Sequence, residues 1–165
     1  MHSPQVRLLC DHMLGSLAKW LRLLGYDTLY PGPLEDREMA AKAYDEGRLL
    51  LTRDKDLAAR VKGSVFIASD DIDEQLKSVV KILRLDLSNR LSLCSVCNVP
   101  IVRAGKTEVE RRVPPKVLES VDEFWKCESC SRVYWRGSHW RDMLGRIDRI
   151  EREVGNGYSQ TPHKD

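Results

Sequence analysis

The run Leu49-Leu-Leu-Thr-Arg-Asp54 most constrains what this chain can become. A short apolar stretch bounded by Gly47 and by charged residues reads as a buried strand. It carries Thr52 and Asp54 to the strand's carboxyl end, where open α/β sheets place their ligands. An earlier run, Val6-Arg-Leu-Leu-Cys10, does the same for Asp11. Two carboxylates at the ends of two strands, with further acids nearby, point to a divalent metal site.

Helices fill the spaces between these strands. Leu14, Leu17, Ala18 and Leu21 recur at helical spacing, so 14–25 reads as an amphipathic helix with Gly25 at its C′ position. Asp27–Tyr30 is a short strand, Pro31–Pro33 a loop and 35–46 a second helix. After the strand 48–52 come a short helix over 55–62 and a strand at Val65–Ala68. Ile72, Leu76, Val79, Val80 and Leu83 mark a longer helix. Strands alternating with helices predict a mainly parallel sheet.

From about residue 90 the rhythm stops. Cys94-x-x-Cys97 and Cys127-x-x-Cys130 are each followed by a strand, with 29 residues between the two pairs. The stretch 103–124 shows no clear period. Ser138 offers a cap to a closing helix in which Trp140, Met143, Leu144, Ile147 and Ile150 form an apolar stripe. The expected division is 1–86, 87–154 and a polar, frayed tail at 155–165.

Four thiolates in two such pairs match tetrahedral structural Zn²⁺, and a closed four-sulfur site leaves no position for catalysis. An iron–sulfur centre would use the same ligands. His139, nine residues after Cys130, is an alternative ligand or a surface residue. Cys10 stands alone within the first strand as a small buried residue.

Net charge is +2, with 14 basic and 14 acidic residues in 1–90 and 13 against 11 in 91–165. Nucleic-acid binding therefore cannot rest on overall charge and must rest on local patches. One surrounds the cysteines, where Arg132 and Arg136 are interleaved with Trp125, Tyr134, Trp135 and Trp140. Aromatic faces for bases and cations for the backbone suit single-stranded RNA. A stabilising or protein-docking role is the alternative. No apolar run approaches a membrane span and the first residues lack a signal peptide's pattern, so a cytoplasmic protein with no membrane partner is expected.

Asp11 and Asp54 are the first candidates to hold Mg²⁺ or Mn²⁺. Asp36 and Glu38 offer a third ligand, or simply complement a helix dipole. Asp56, Asp70 and Asp71 offer a fourth, although Asp71 with Glu74 also resembles a capping box. Asp54-x-Asp56 further resembles the acid pair of Toprim-type sites, a scheme that calls for a glutamate where this chain has Asp11.

Three blocks carry a resemblance. The segment from Asp11-His-Met-Leu-Gly-Ser to Tyr26-Asp-Thr28, the run Glu46–Asp54, and the cysteine pairs with Val133-Tyr-Trp-Arg-Gly-Ser-His-Trp140 resemble the Mut7-C family of PIN-like ribonuclease domains. That resemblance implies an α/β, PIN-like, mainly parallel sheet flanked by helices, followed by a small zinc-ribbon domain and a C-terminal helix. It implies a metal-dependent ribonuclease, with Asp11, Asp36 and Asp54 as Mg²⁺ or Mn²⁺ ligands and the four cysteines on Zn²⁺. Glu38 and Asp71 are alternates, and Thr52 orients a carboxylate or a water. Arg22 and Arg53, with Arg132, Trp135, Arg136 and His139 of the ribbon, are candidate RNA contacts. A ribonucleoprotein or inhibitor is a possible partner. The rival expectation is an RNA-binding module whose acidic site is weak.

Overall fold

Strands β1 (Leu8–Cys10) and β3 (Leu49–Thr52) lie side by side and parallel in the computed structural model, which describes residues 5–155. Their neighbours are β2 (Thr28–Leu29) and β4 (Val65–Phe66), in the order β2-β1-β3-β4, all parallel. The two central strands are continuous apolar runs because both faces of the sheet are covered. Leu8, Cys10 and Leu51 face α1 (Gly15–Leu23), α4 (Ile72–Leu83) and the end of α7 (Ser138–Val154). Leu9 and Leu50 face Met39 and Ala43 of α2 (Asp36–Asp45) and Leu57 of α3 (Lys55–Arg60). Leu8, Leu9, Leu50 and Leu51 are each at most 1% exposed, so each contributes about 2 kcal/mol by burial. Slipping the register by one residue would send each side chain to the opposite face.

All four strands run the same way, so the segments after β1, β3 and β4 emerge at one edge. This is the edge at which Asp11, Thr52 and Asp54 were expected. A 3₁₀ turn at His12–Leu14 leads from β1 into α1. Gly25 follows α1 with a φ of +90°, and a Cβ there would lie 2.5 Å from the Asn89 carbonyl oxygen. Only glycine satisfies both demands, which seats the later part of the chain against the end of α1.

The second half is an antiparallel sheet of β5 (Val102–Ala104), β6 (Phe124–Lys126) and β7 (Val133–Trp135). The stretch that showed no period holds two short helices, α5 (Lys106–Val109) and α6 (Pro115–Ser120). Val109 and Val113, with Val117 and Leu118 beside them, pack on Phe124. The closing helix is present, but its N-cap is Gly137, and Ser138 is already its first residue. Its apolar stripe serves both halves. Trp140 and Met143 pack with Leu91, Trp125 and Tyr134, whereas Ile147 and Ile150 enter the core of the parallel sheet. The tail expected at 155–165 lies, apart from Gly155, outside the described residues. The α/β class, with a parallel sheet flanked by helices, a cysteine-bearing second part and a C-terminal helix, is as expected. Among the described residues no helix is long and apolar enough to cross a membrane.

The halves are joined by polar contacts as well. Arg22 is 6% exposed. Its Nε donates to the Thr28 carbonyl at 2.8 Å, and its Nη1 donates to the Ser95 and Val96 carbonyls at 2.9 and 3.0 Å. Arg22 is thus a buried strut whose bonds go to backbone carbonyls. Asn98 closes the edge strand: the Thr28 amide donates to its Oδ1 at 3.0 Å, and its Nδ2 donates to Asp27 at 2.7 Å. Asp27 also accepts from Arg7 and Arg48. Burial opposes its charge, but these donors outweigh burial and hold the carboxyl below its ordinary pKa.

Replacing Arg22 by Met strands three carbonyls and severs the joint. We expect the zinc-loaded Arg22→Met protein to lose about 3 kcal/mol of unfolding free energy in urea. An exposed control, Arg141→Met, should stay within about 0.5 kcal/mol of wild type.

Candidate active site and metal centre

The two cysteine pairs adopt the same backbone turn. The Cys94 amide donates to the Val99 carbonyl at 2.8 Å, and the Asn98 amide donates back to the Cys94 carbonyl at 3.0 Å. The second pair repeats this, Cys127 to Arg132 at 2.9 Å and Ser131 to Cys127 at 2.8 Å. Asn98 and Ser131, each just after its pair, have φ of +60°. Asparagine enters this left-handed region more readily than most residues.

The turns bring four sulfurs together, with their ligand atoms all within 4.8 Å of one another. Cys94 Sγ lies 3.8 Å from Cys130 Sγ. A tetrahedral ion with Zn–S bonds of about 2.3 Å spaces its sulfurs by about 3.8 Å, so the donor set fits structural zinc. Cys94 and Cys127 are buried, Cys97 is half-buried and Cys130 is exposed. Burial alone would raise the Cys94 pKa. The Tyr134 hydroxyl, 3.1 Å from its sulfur, and the amides of Cys97 and Val96 outweigh burial and lower it to about 6. His139 is exposed in the first turn of α7 and is not one of the four ligands.

The acids are arranged differently. Asp11 is 3% exposed and accepts three hydrogen bonds. The Met13 amide donates to Oδ1 at 2.9 Å, while the Thr52 hydroxyl and the Arg53 amide donate to Oδ2 at 2.5 and 2.9 Å. The same Thr52 hydroxyl accepts from the Asp54 amide at 2.9 Å. One hydroxyl therefore links the two strand-end acids, and Thr52 orients a carboxylate. Asp54 is also the N-cap of α3: its Oδ1 accepts from the Asp56 and Leu57 amides at 2.8 and 3.0 Å.

The remaining candidates stand apart. Asp36 is ion-paired with Arg60 at 3.1 Å. Glu38 bonds back to the Glu35 amide in a capping box, and Asp71 caps α4 by accepting from the Glu74 amide. Among the described residues only the cysteines bring three or more ligand atoms this close together, so the acids form no such cluster. Arg53 sits at the site with its Nε buried and without a hydrogen-bond partner among the described residues. In the second half, the guanidinium of Arg136 lies 5.1 Å from the Trp125 ring centroid and that of Arg103 lies 5.8 Å from it.

Nothing in the sequence marked Arg22 or Asn98 as the joint between halves, because their partners lie about seventy residues away. The left-handed Asn after a CxxC pair was the one available clue.

The model of the Mut7-C RNase domain matches residues 6–147, a span that includes both strand-end acids and all four cysteines. The chain belongs to the Mut7-C RNase domain family. A human relative, the exonuclease mut-7 homolog, is 36% identical over 110 residues, covering 58% of this chain. The match spans 13% of that relative's length. No solved structure matches. The Mut7-C span runs through both sheets and into α7, so the family unit includes the cysteine-bearing half.

A metal-binding role for the cysteines predicts one zinc per chain by atomic absorption. Cys127→Ser should reduce that to well under one, and chelator should lower the thermal midpoint of wild type but not of the variant.

Proposed function

We propose that this Mut7-C domain hydrolyses RNA phosphodiester bonds at the carboxyl edge of β1 and β3, with Asp11 and Asp54 holding a Mg²⁺ or Mn²⁺ ion. The observation that carries this reading is the Thr52 hydroxyl, which donates to the Asp11 carboxylate and accepts from the backbone amide of Asp54. The donor set suits such an ion, because Mg²⁺ keeps several waters and takes one or two carboxylates, with substrate phosphate completing its shell. When bound, it neutralises charge on the phosphate and acidifies an attacking water.

The chain's own residues supply the rest. Three donors fix the orientation of Asp11 in advance. Asp54 commits one oxygen to the α3 cap and keeps Oδ2 for a ligand. The partnerless Nε of Arg53 gains an acceptor when a phosphate arrives. Asp36 is the third acid of this proposal, since its exposed pair with Arg60 is weak and readily exchanged. Attack by water needs no side-chain nucleophile. Burial and neighbouring Asp11 raise the Cys10 pKa, Arg22 opposing them in part, so this thiol stays protonated in the core. The ribbon contributes RNA contacts through Arg132, Trp135, Arg136 and His139, and single-stranded RNA in the cytoplasm is the proposed setting. The human relative is named an exonuclease, so an RNA end is the first substrate to offer.

Asparagine is as good an N-cap as aspartate, so Asp54→Asn removes a charged ligand while keeping α3. Cleavage of an end-labelled single-stranded RNA in Mn²⁺ should fall at least about a hundredfold in Asp54→Asn, with zinc content and circular dichroism unchanged. Undiminished cleavage by the variant would remove the acidic edge from the chemistry. RNA binding without cleavage by wild type would leave a binding module.

A further inference from the structure

A cavity of about 410 Å³ opens between β7 and the first turn of α7. None of Asp11, Asp36, Thr52 or Asp54 lines it. Its size falls within the roughly 300–1,000 Å³ of pockets that enclose small ligands. Leu23 and Leu91 come from the first half and its connection, Val133 and Trp135 from β7, and Trp140 and Met143 from α7. The pocket is therefore apolar in its body and belongs to the junction of the halves.

Its rim is cationic. Arg132 and His139 both line it and are exposed, and among the described residues neither side chain has a hydrogen-bond or ion-pair partner. The first turn of α7 carries no acid, and Gly137 at its N-cap supplies no side-chain acceptor. The positive end of a 17-residue helix thus adds to the Arg132 cation, with the His139 imidazole beside it as a hydrogen-bonding group. Gly137 also makes room for the Trp135 indole, since a Cβ there would lie 2.9 Å from its Nε1. The Tyr134 hydroxyl is already committed to Cys94 and to the Ser95 amide.

We propose that this cavity is a subsite for one unstacked base of single-stranded RNA, with Arg132, His139 and the start of α7 receiving its phosphate. An apolar, aromatic-walled space of single-nucleotide scale, with an arginine, an imidazole and no acid at its mouth, matches a base and a phosphate together. The inference rests on the RNA-directed reading of the domain but not on cleavage. It separates grip from chemistry: the pocket anchors a nucleotide away from the one being cut.

The test uses the zinc-loaded full chain carrying Asp54→Asn, so that RNA stays intact. A labelled single-stranded six-nucleotide RNA is titrated by fluorescence anisotropy, and AMP serves as the minimal probe through quenching of tryptophan emission. Trp135→Ala, His139→Ala and Gly137→Leu should each raise the RNA Kd by about tenfold, while the remote control Lys81→Ala should not. Zinc content and the urea midpoint, measured for each variant, keep misfolding apart from lost binding. With Asp54 restored, the same substitutions should raise KM for cleavage with little change in kcat. Equal RNA affinity in folded pocket variants and wild type overturns the proposal even if cleavage persists. Absence of AMP and RNA binding also overturns it, and would leave the cavity to a peptide. Loss of RNA binding in the pocket variants of a protein that never cuts upholds this proposal while removing the nuclease reading.

Discussion

A buried guanidinium with no carboxylate on it is costly, and Arg22 is such a group. Burial lowers its pKa, and of the groups that oppose this shift Asp27 is the carboxylate. Its hydrogen bonds go to carbonyls of β2 and of the first cysteine turn. The cation is therefore satisfied only when the parallel sheet and the metal-binding half are both folded and touching. A zinc ion bound by the four thiolates would keep a net negative charge beside this arginine. Metal occupancy, the joint between halves and the seating of α1 are thus parts of one electrostatic arrangement. The same helix follows directly from Asp11, so the acidic edge is fixed to the joint through a single rigid element.

At that edge, structure and proposed chemistry compete for the same atoms. Asp54 caps a helix of six residues, and Asp11 already accepts from three donors, leaving one lone pair on Oδ1. Such bonding orients carboxylates before any ion arrives, which reduces the reorganisation left for the bound state. It also explains why the acids are not clustered: each is held by its own strand end or helix.

What the sequence made legible was local. The apolar runs ending in Asp11 and Asp54, the four long helices and the cysteine pairs all signal within a few residues, and each stands where expected. Helices α5 and α6, four and six residues long, are too short to display a period, so that stretch looked irregular. Asp71 carried two readings from the outset, ligand or cap, and Glu38 two others, ligand or complement to a helix dipole; in the structure both take part in capping. The place of Arg22 at the joint could not be read locally, because residue type and helical position say nothing of carbonyls brought in from a remote turn. Arg132, Trp135 and His139 stood out as candidate RNA contacts, but the cavity they line could not be read, being assembled from four separate stretches of chain.

Helix α7 gives this arrangement its mechanical sense. One end covers the antiparallel sheet through Trp140 and Met143, and the other is sealed into the parallel sheet's core through Ile147 and Ile150. Because Arg22, Asn98 and Gly25 fix the same junction from the opposite side, the halves cannot rotate independently without exposing apolar surface and stranding carbonyls. A strand of RNA gripped beside the start of α7 would therefore meet the acidic edge at a set distance. A flexibly tethered ribbon would raise local concentration only, whereas a ribbon wedged in place can also define which phosphate lies at Asp11 and Asp54. The family match runs from residue 6 to 147 and so takes in the cysteine-bearing half together with the acidic sheet.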